Sequence, residues 1–336
     1  MTEKRELRCG FTTGTAVTAA ALAVLHQCRT VEVELPKHEK RLLPIHDLTA
    51  DTASVLKDAG DDPDVTHGAE IRVTLRPAVL SEARPEDYLE SCGDNATLIV
   101  RGGPGVGLAT RPGLAVPPGK WAINPGPRRI LKQNLNDLQG VWLLIISVPD
   151  GERLAKQTLN PKLGIVGGIS ILGNSGIVRP YSNAAYAASV ALQLRSIAAS
   201  GGSTAVLATG NRTAEAAERD FPGLTVVRIG DFIKVSLLAA KKAGITRILL
   251  ACMPGKLFKY ACGYENTHAH QAEMNLAELL PGIGDVKSMG ELAAALPEAQ
   301  YHDILKQLDK MANEKLGRWH DGVEIVLYNA QGERLS

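Results

Sequence analysis

Three short clusters at the ends of apolar runs carry side chains suited to hold a small polar ligand. The run TAVLA ends in Thr209, Gly210, Asn211 and Arg212; TVVRI ends in Gly230 and Asp231; ILLAC ends in Met253, Pro254, Gly255 and Lys256. Beyond the carboxyl ends of parallel strands, such residues meet ligands. Gly210 allows a close backbone approach, and the start of a following helix favours a carboxylate. Asp231 is suited to hold a ribose hydroxyl pair, and equally to cap the next helix. Spacing alone admits any nucleotide-like ligand. Downstream, Glu265, Thr267, His268, His270 and Glu273 are the group best equipped for proton transfer, since imidazoles titrate near neutral pH. The same polar residues are ordinary at a helix start.

A second concentration lies in residues 160–182, NPKLGIVGGISILGNSGIVRPYS. Gly164, Gly167, Gly168, Gly173 and Gly176 punctuate an apolar run that closes on Arg179, Pro180 and Ser182. Glycine weakens a strand interior, so this density implies close backbone approach to a ligand or turns of positive φ between short strands. Arg101, Arg111, Lys120, Arg128, Arg129, Lys162 and Arg179 fall in glycine-rich loops. Guanidinium forks pair bidentately with carboxylates, although loop arginines are commonly just solvated. Cys252, Cys262, His268 and His270 do not make a zinc set: nine residues separate the cysteines and the histidines form an HxH pair. No protein-bound metal is expected.

The elements that position these groups follow from patterning. Thr12 or Thr13 caps an alanine-rich helix to about 28. Strands are expected at 30–35, 42–46, 70–75, 96–100 and 141–148, with a helix from Pro127 to about 139. The Gly/Pro stretch 102–127 holds Val106, Leu114 and Trp121, which implies ordered packing. From 182 a helix runs to about 200. Strands at 204–208, 224–229 and 246–251 then alternate with helices at 212–219 and 232–243, a rhythm of parallel sheet with helices on its faces. Helices at 268–280, 289–296 and 301–315 precede a strand at 323–328. The expected architecture is a mixed α+β domain over 1–200 and a Rossmann-like α/β domain over 201–336.

Composition narrows the partners. The 336 residues are 45% hydrophobic and 22% charged, with a net charge of +1, so no global field attracts nucleic acid or anionic lipid. Aromatics at 4% argue against a base-stacking platform. The N-terminus has no apolar signal region, no run reaches membrane-span length, and five cysteines lack framework spacing, all of which suit a cytoplasmic protein. P-loop, GxGxxG, HExxH, GxSxG and CxxC patterns are missing.

Four blocks in order, over roughly residues 8–280, resemble the CbiD family, the cobalt-precorrin-5B C-1-methyltransferases. They are CGFTTGTAVTAAALAVL from Cys9, RGGPGVGLATRPGLAVPPGKWAINPGPRRIL from Arg101, the glycine run above, and GKLFKYACGYENTHAHQAEMN from Gly255. The resemblance implies S-adenosylmethionine as cosubstrate, held by Gly210, Asn211, Arg212, Gly230, Asp231, Gly255 and Lys256. It implies a tetrapyrrole substrate that carries the cobalt, lined by Thr12, Thr13, Gly14, Arg111, Arg128, Gly167, Gly168 and Arg179. His268 or Glu265 would serve as base. The chain departs from the family where Cys252 and Met253 replace a common Gly-His pair, and where Ala269 and Glu273 stand after His268 and Ala272. That departure motivates an alternative, a tetrapyrrole carrier without catalysis. A phosphate-ester kinase is the more distant alternative, disfavoured by the missing P-loop.

Overall fold

The computed structural model describes residues 6–268, 275–276, 280 and 286–335. The chain divides into two compact units, Met1–Ser182 and Asn183–Ser336. The division falls before the helix that follows RPYS rather than after it, near 200, because that helix packs on elements of the second unit.

In the first unit, helix α1 (Thr13–His26) starts at Thr12, whose hydroxyl accepts from the Thr15 N–H. Residues 13–24 are all buried. Ala16, Ala19, Ala20, Ala21 and Ala23 expose no surface, so neighbours close in on every side, as a helix without a polar face requires. Thr30–Glu34 (β1) and Lys40–Pro44 (β2) make a hairpin. A six-stranded sheet is built from Asp47–Leu48 (β3), Thr52–Leu56 (β4), Glu70–Pro77 (β5), Tyr88–Cys92 (β6), Ala96–Gly102 (β7) and Gly140–Ser147 (β8). Its order is β3-β4-β5-β8-β7-β6. Only β7 and β8 run parallel, joined through α2 (Pro125–Asn134), which starts at Pro125 rather than Pro127. Strands β4 and β6 were not among the expected elements. Helix α1 lies against β4, β5 and α2.

The Gly/Pro stretch and the glycine run are zipped together. Gly105–Val106 pairs with Gly168–Ile169, Leu108–Ala109 with Ile165–Val166, and Gly10–Phe11 with Ile177–Val178. Val106 and Val116 are buried there, as ordered packing requires. Two short helices, α3 (Gly151–Ala155) and α4 (Asn160–Leu163), connect β8 to the run.

The second unit holds α5 (Asn183–Ala199), β9 (Thr204–Ala208), α6 (Asn211–Asp220), β10 (Val226–Arg228), α7 (Ile233–Ala243), β11 (Arg247–Cys252), α8 (Pro254–Ala261), α9 (Met289–Ala295), α10 (Glu298–Leu316) and β12 (Val323–Leu327). The sheet order is β10-β9-β11-β12 and every pairing is parallel. Alternate strand residues feed two cores, as a sheet covered on both faces demands. Val206, Ala208, Leu249 and Ala251 pack with Ala214 and Ala217 of α6. Ala205, Leu207, Ile248 and Leu250 pack with residues of α5, α7, α8 and α10. Helix α8 was not expected; Pro254 occupies its first turn, where a missing N–H costs nothing. The helix expected over 268–280 lies largely outside the described residues. No helix among the described residues is long and apolar enough to cross a membrane.

Candidate functional site

Strand order in the second unit reverses between β9 and β11, and ligands of open parallel sheets sit beyond the carboxyl ends at such a point. Gly210 stands there as the residue before α6, in extended conformation with φ −165°. Its N–H donates to the Thr213 hydroxyl at 3.0 Å. A Cβ on Gly210 would meet nothing within 4 Å, so the space above it is open. Asn211 Oδ1 accepts from Arg228 at 2.8 Å, and Arg212 is exposed.

Past β10, Asp231 is not the helix cap. Phe232 holds that position without a side-chain bond. Instead the Asp231 carboxylate takes the Lys256 ammonium and the Thr267 hydroxyl, the latter at 2.8 Å. Lys256 also donates to Thr267 Oγ1 at 2.8 Å, and Lys259 donates to the Thr267 carbonyl at 3.0 Å. Burial pushes the Asp231 carboxyl upward; Lys256 and Thr267 outweigh it and hold the carboxyl below its usual range. Lys259 is pushed down by burial and by the neighbouring Lys256 charge. Because Asp231 is lowered in the folded state, its contribution to stability is present above the ordinary carboxylate pKa and is lost as pH falls through the lowered value. Asp231→Asn is therefore expected to melt lower at pH 7, by no more than about 1 kcal/mol for this half-screened pair. The gap should close on acidification below about pH 4. A gap that is constant across a thermal-melt pH series would refute this account.

Of the proton-transfer group, Glu265 pairs with Lys234 at 2.7 Å, and the exposed His268 takes Asn266 Oδ1 on its backbone N–H at 2.9 Å. His270 and Glu273 lie outside the described residues. Cys252 is fully buried and burial pushes its thiol up, so it is a packing residue. No metal-holding cluster of His, Cys, Asp and Glu occurs among the described residues.

A cavity of about 600 Å³ opens beside this network. Gly255 and Lys256 line it; Gly210, Asn211, Arg212, Gly230 and Asp231 do not. Its other walls come from Met289 and Ala293 of α9, Tyr301 of α10 and Asn329–Gln331 after β12. Asn329 follows a parallel strand and was findable by the rule that located Gly210. Met289, Ala293 and Tyr301 carry no local signal.

In the first unit, Thr12, Thr13 and Gly14 are engaged with the glycine run. Leu172 N–H donates to the Thr13 hydroxyl at 2.9 Å, Gly14 N–H to the Leu172 carbonyl at 3.2 Å, and Thr12 N–H to the Gly176 carbonyl at 2.9 Å. Gly168 faces backbone as well: a Cβ there would overlap the Gly105 carbonyl. Gly167, with φ +79° and open space beside it, differs from these. Arg111 and Arg179 are exposed. Arg128 pairs with Glu90 and stacks on Tyr88, 4.0 Å from the ring centroid. Two further basic residues are tied to the protein itself: Arg101 to Asp87 at 2.7 Å, and Lys120 to the Pro85 and Asp87 carbonyls.

The fold defines an α/β protein whose second unit is of the doubly wound kind. The CbiD family model matches residues 1–180. A cobalt-precorrin-5B C(1)-methyltransferase of Picrophilus torridus is 36% identical, with 98% of this chain and 99% of that protein aligned. The proteins of the same name from Thermus thermophilus and Priestia megaterium are 38% and 33% identical, over 97% and 99% of this chain and 86% and 96% of theirs. A crystal structure of a cobalamin biosynthesis protein (CbiD) from Archaeoglobus fulgidus is 26% identical, covers 76% of this chain and 80% of its own, and has a TM-score of 0.41. The chain belongs to the CbiD family.

Proposed function

We propose that this protein methylates C-1 of cobalt-precorrin-5B with S-adenosylmethionine, giving cobalt-precorrin-6A in cobalamin biosynthesis. What carries the reading is the end-to-end similarity to methyltransferases of that name, 98% of this chain against 99% of the Picrophilus protein. Methyl transfer breaks the carbon–sulfur bond, leaves the electron pair on sulfur and forms a carbon–carbon bond at the ring. The electron-rich macrocycle supplies the nucleophile, so the protein's part is to align the reactants and exclude water. Cobalt enters as part of the substrate.

The carboxyl-end loops of the second unit, Gly255 and Lys256 among them, hold the methyl donor. Exposed Arg111 and Arg179 meet the carboxylates around the macrocycle, and Arg128 and Gly167 belong to the same binding set; Thr12, Thr13, Gly14 and Gly168 shape the loops. His268 or Glu265 takes the proton released after alkylation. Five cysteines, none of them in a disulfide, suit a reducing cytoplasm.

Incubation of the purified chain with cobalt-precorrin-5B and methyl-labelled S-adenosylmethionine is expected to move one label per macrocycle. Arg179→Ala should weaken macrocycle affinity about tenfold, the worth of one charge-assisted contact at an exposed site. Tight macrocycle binding without label transfer, from folded protein, would replace the enzyme by the carrier.

A further inference from the structure

Strands β11 and β12 pair from Ile248↔Val323 to Cys252↔Leu327, so their carboxyl ends open side by side. The chain leaving β11 turns at once into α8. The chain leaving β12 folds back: Asn329 Oδ1 accepts the Gln331 and Glu333 N–H groups, each at 2.9 Å, and Leu335 N–H returns to the Leu327 carbonyl at 2.8 Å. Between them lies the cavity of about 600 Å³, within the range that encloses a nucleoside-sized ligand. Met253, Met289, Ala293, Ala330 and Leu335 make its wall mostly apolar.

Two polar side chains, Tyr301 and Lys259, stand in that wall. Tyr301 is 9% exposed and lines the cavity, and its hydroxyl bonds to none of the described residues. The hydroxyl keeps some contact with solvent, which a ligand acceptor would replace. Burial raises the phenol, which keeps its proton. The Lys259 ammonium has one hydrogen-bond partner, the Thr267 carbonyl, and no carboxylate among the described residues. The complementary ligand has a flat, largely apolar heterocycle with an acceptor atom, and an anionic tail. By contrast, a Cβ on Gly210 at the β9–β11 crevice would meet nothing within 4 Å.

We propose that this cavity, rather than the β9–β11 crevice, holds the adenosine end of the methyl donor, with Tyr301 donating to it and Lys259 meeting the amino-acid carboxylate. The assignment rests on the methyl-transfer reading and narrows it from three loops to one cavity.

The test is calorimetry of the full chain with two probes: S-adenosylhomocysteine, and 5′-methylthioadenosine, which lacks the carboxylate. Ala293 is exposed on α9, so Ala293→Trp adds bulk to the cavity without disturbing a core. It should raise both dissociation constants about tenfold or more. Tyr301→Phe should raise both about fivefold, the worth of one hydrogen bond. Lys259→Met should raise only that of S-adenosylhomocysteine, about tenfold. Melting temperatures of the variants check the fold. Undiminished binding by Ala293→Trp overturns the proposal and leaves methyl transfer standing, as does loss in Gly210→Val alone, which moves the donor to the β9–β11 crevice. A wild-type chain that binds neither probe removes the methyl-transfer reading, and this site with it.

Discussion

Asp87→Ala is expected to destabilise the first unit by about 3–5 kcal/mol, the range for removing one partner of a buried ion pair. The Asp87 side chain has no exposure and that of Arg101 has 9%. The carboxylate accepts Arg101 Nε at 3.0 Å and Nη2 at 2.7 Å, Trp121 Nε1 at 3.2 Å and the Arg84 N–H at 2.9 Å. Alanine would strand a guanidinium in the interior and unseat Trp121, against which Gly102 packs. The loss should be cooperative rather than additive. In Asp87→Leu combined with Arg101→Met, neither charge has to be desolvated, and most of the stability should return. Urea denaturation of the two single variants and the double decides it. A loss below about 1 kcal/mol for Asp87→Ala would mean that water reaches the pair.

The second large effect is expected at Gly105. Its φ is +77°, and a Cβ there would overlap the Val148 carbonyl; Cβ atoms on Gly151 and on Gly168 would in turn overlap the Gly105 carbonyl. Three backbones thus cross where no side chain fits. Gly105→Ala should cost about 3 kcal/mol or more, combining the left-handed conformation with a forced shift of backbone. Gly167→Ala shares the positive φ of +79° but meets open space, so it should cost only about 1 kcal/mol. Equal losses in denaturant melts would show that conformation alone, not the crossing, calls for glycine.

That contrast shows what the sequence could and could not reveal. The density of glycine between 164 and 176 was visible, and its reading as turns of positive φ holds at Gly164, Gly167, Gly173 and Gly176, while the close approach at Gly168 is to the protein's own backbone. The partner was not visible: Gly105 and Val106 for Gly168, Thr12 for Gly173, Thr15 and Leu35 for Gly176. These lie far away in the chain, and no local pattern announces them. The β9-to-β11 rhythm was legible because apolar runs and capping residues alternate locally. Strand β6 was not, since Glu90 breaks its apolar pattern and is accommodated there by Arg128 and Lys132 from another element. Helix α8 was hidden behind Pro254 and Gly255, which read as loop in isolation. Among the basic residues, composition identified the cluster but could not separate Arg101, committed to Asp87, from the exposed Arg111 and Arg179.

The seating of α1 bears on the order of synthesis. Its first turn is closed by Leu172 and Gly176, and the strand ahead of it pairs with Ile177–Val178. A nascent chain emerging from the ribosome therefore carries its first helix without these contacts until nearly the whole first unit has been translated. Closing so long a loop is entropically slow. Until then the first turn of α1 and the strand ahead of it wait for their partners, although β4, β5 and α2, against which the helix packs, have already been translated; that open end is where wrong association starts.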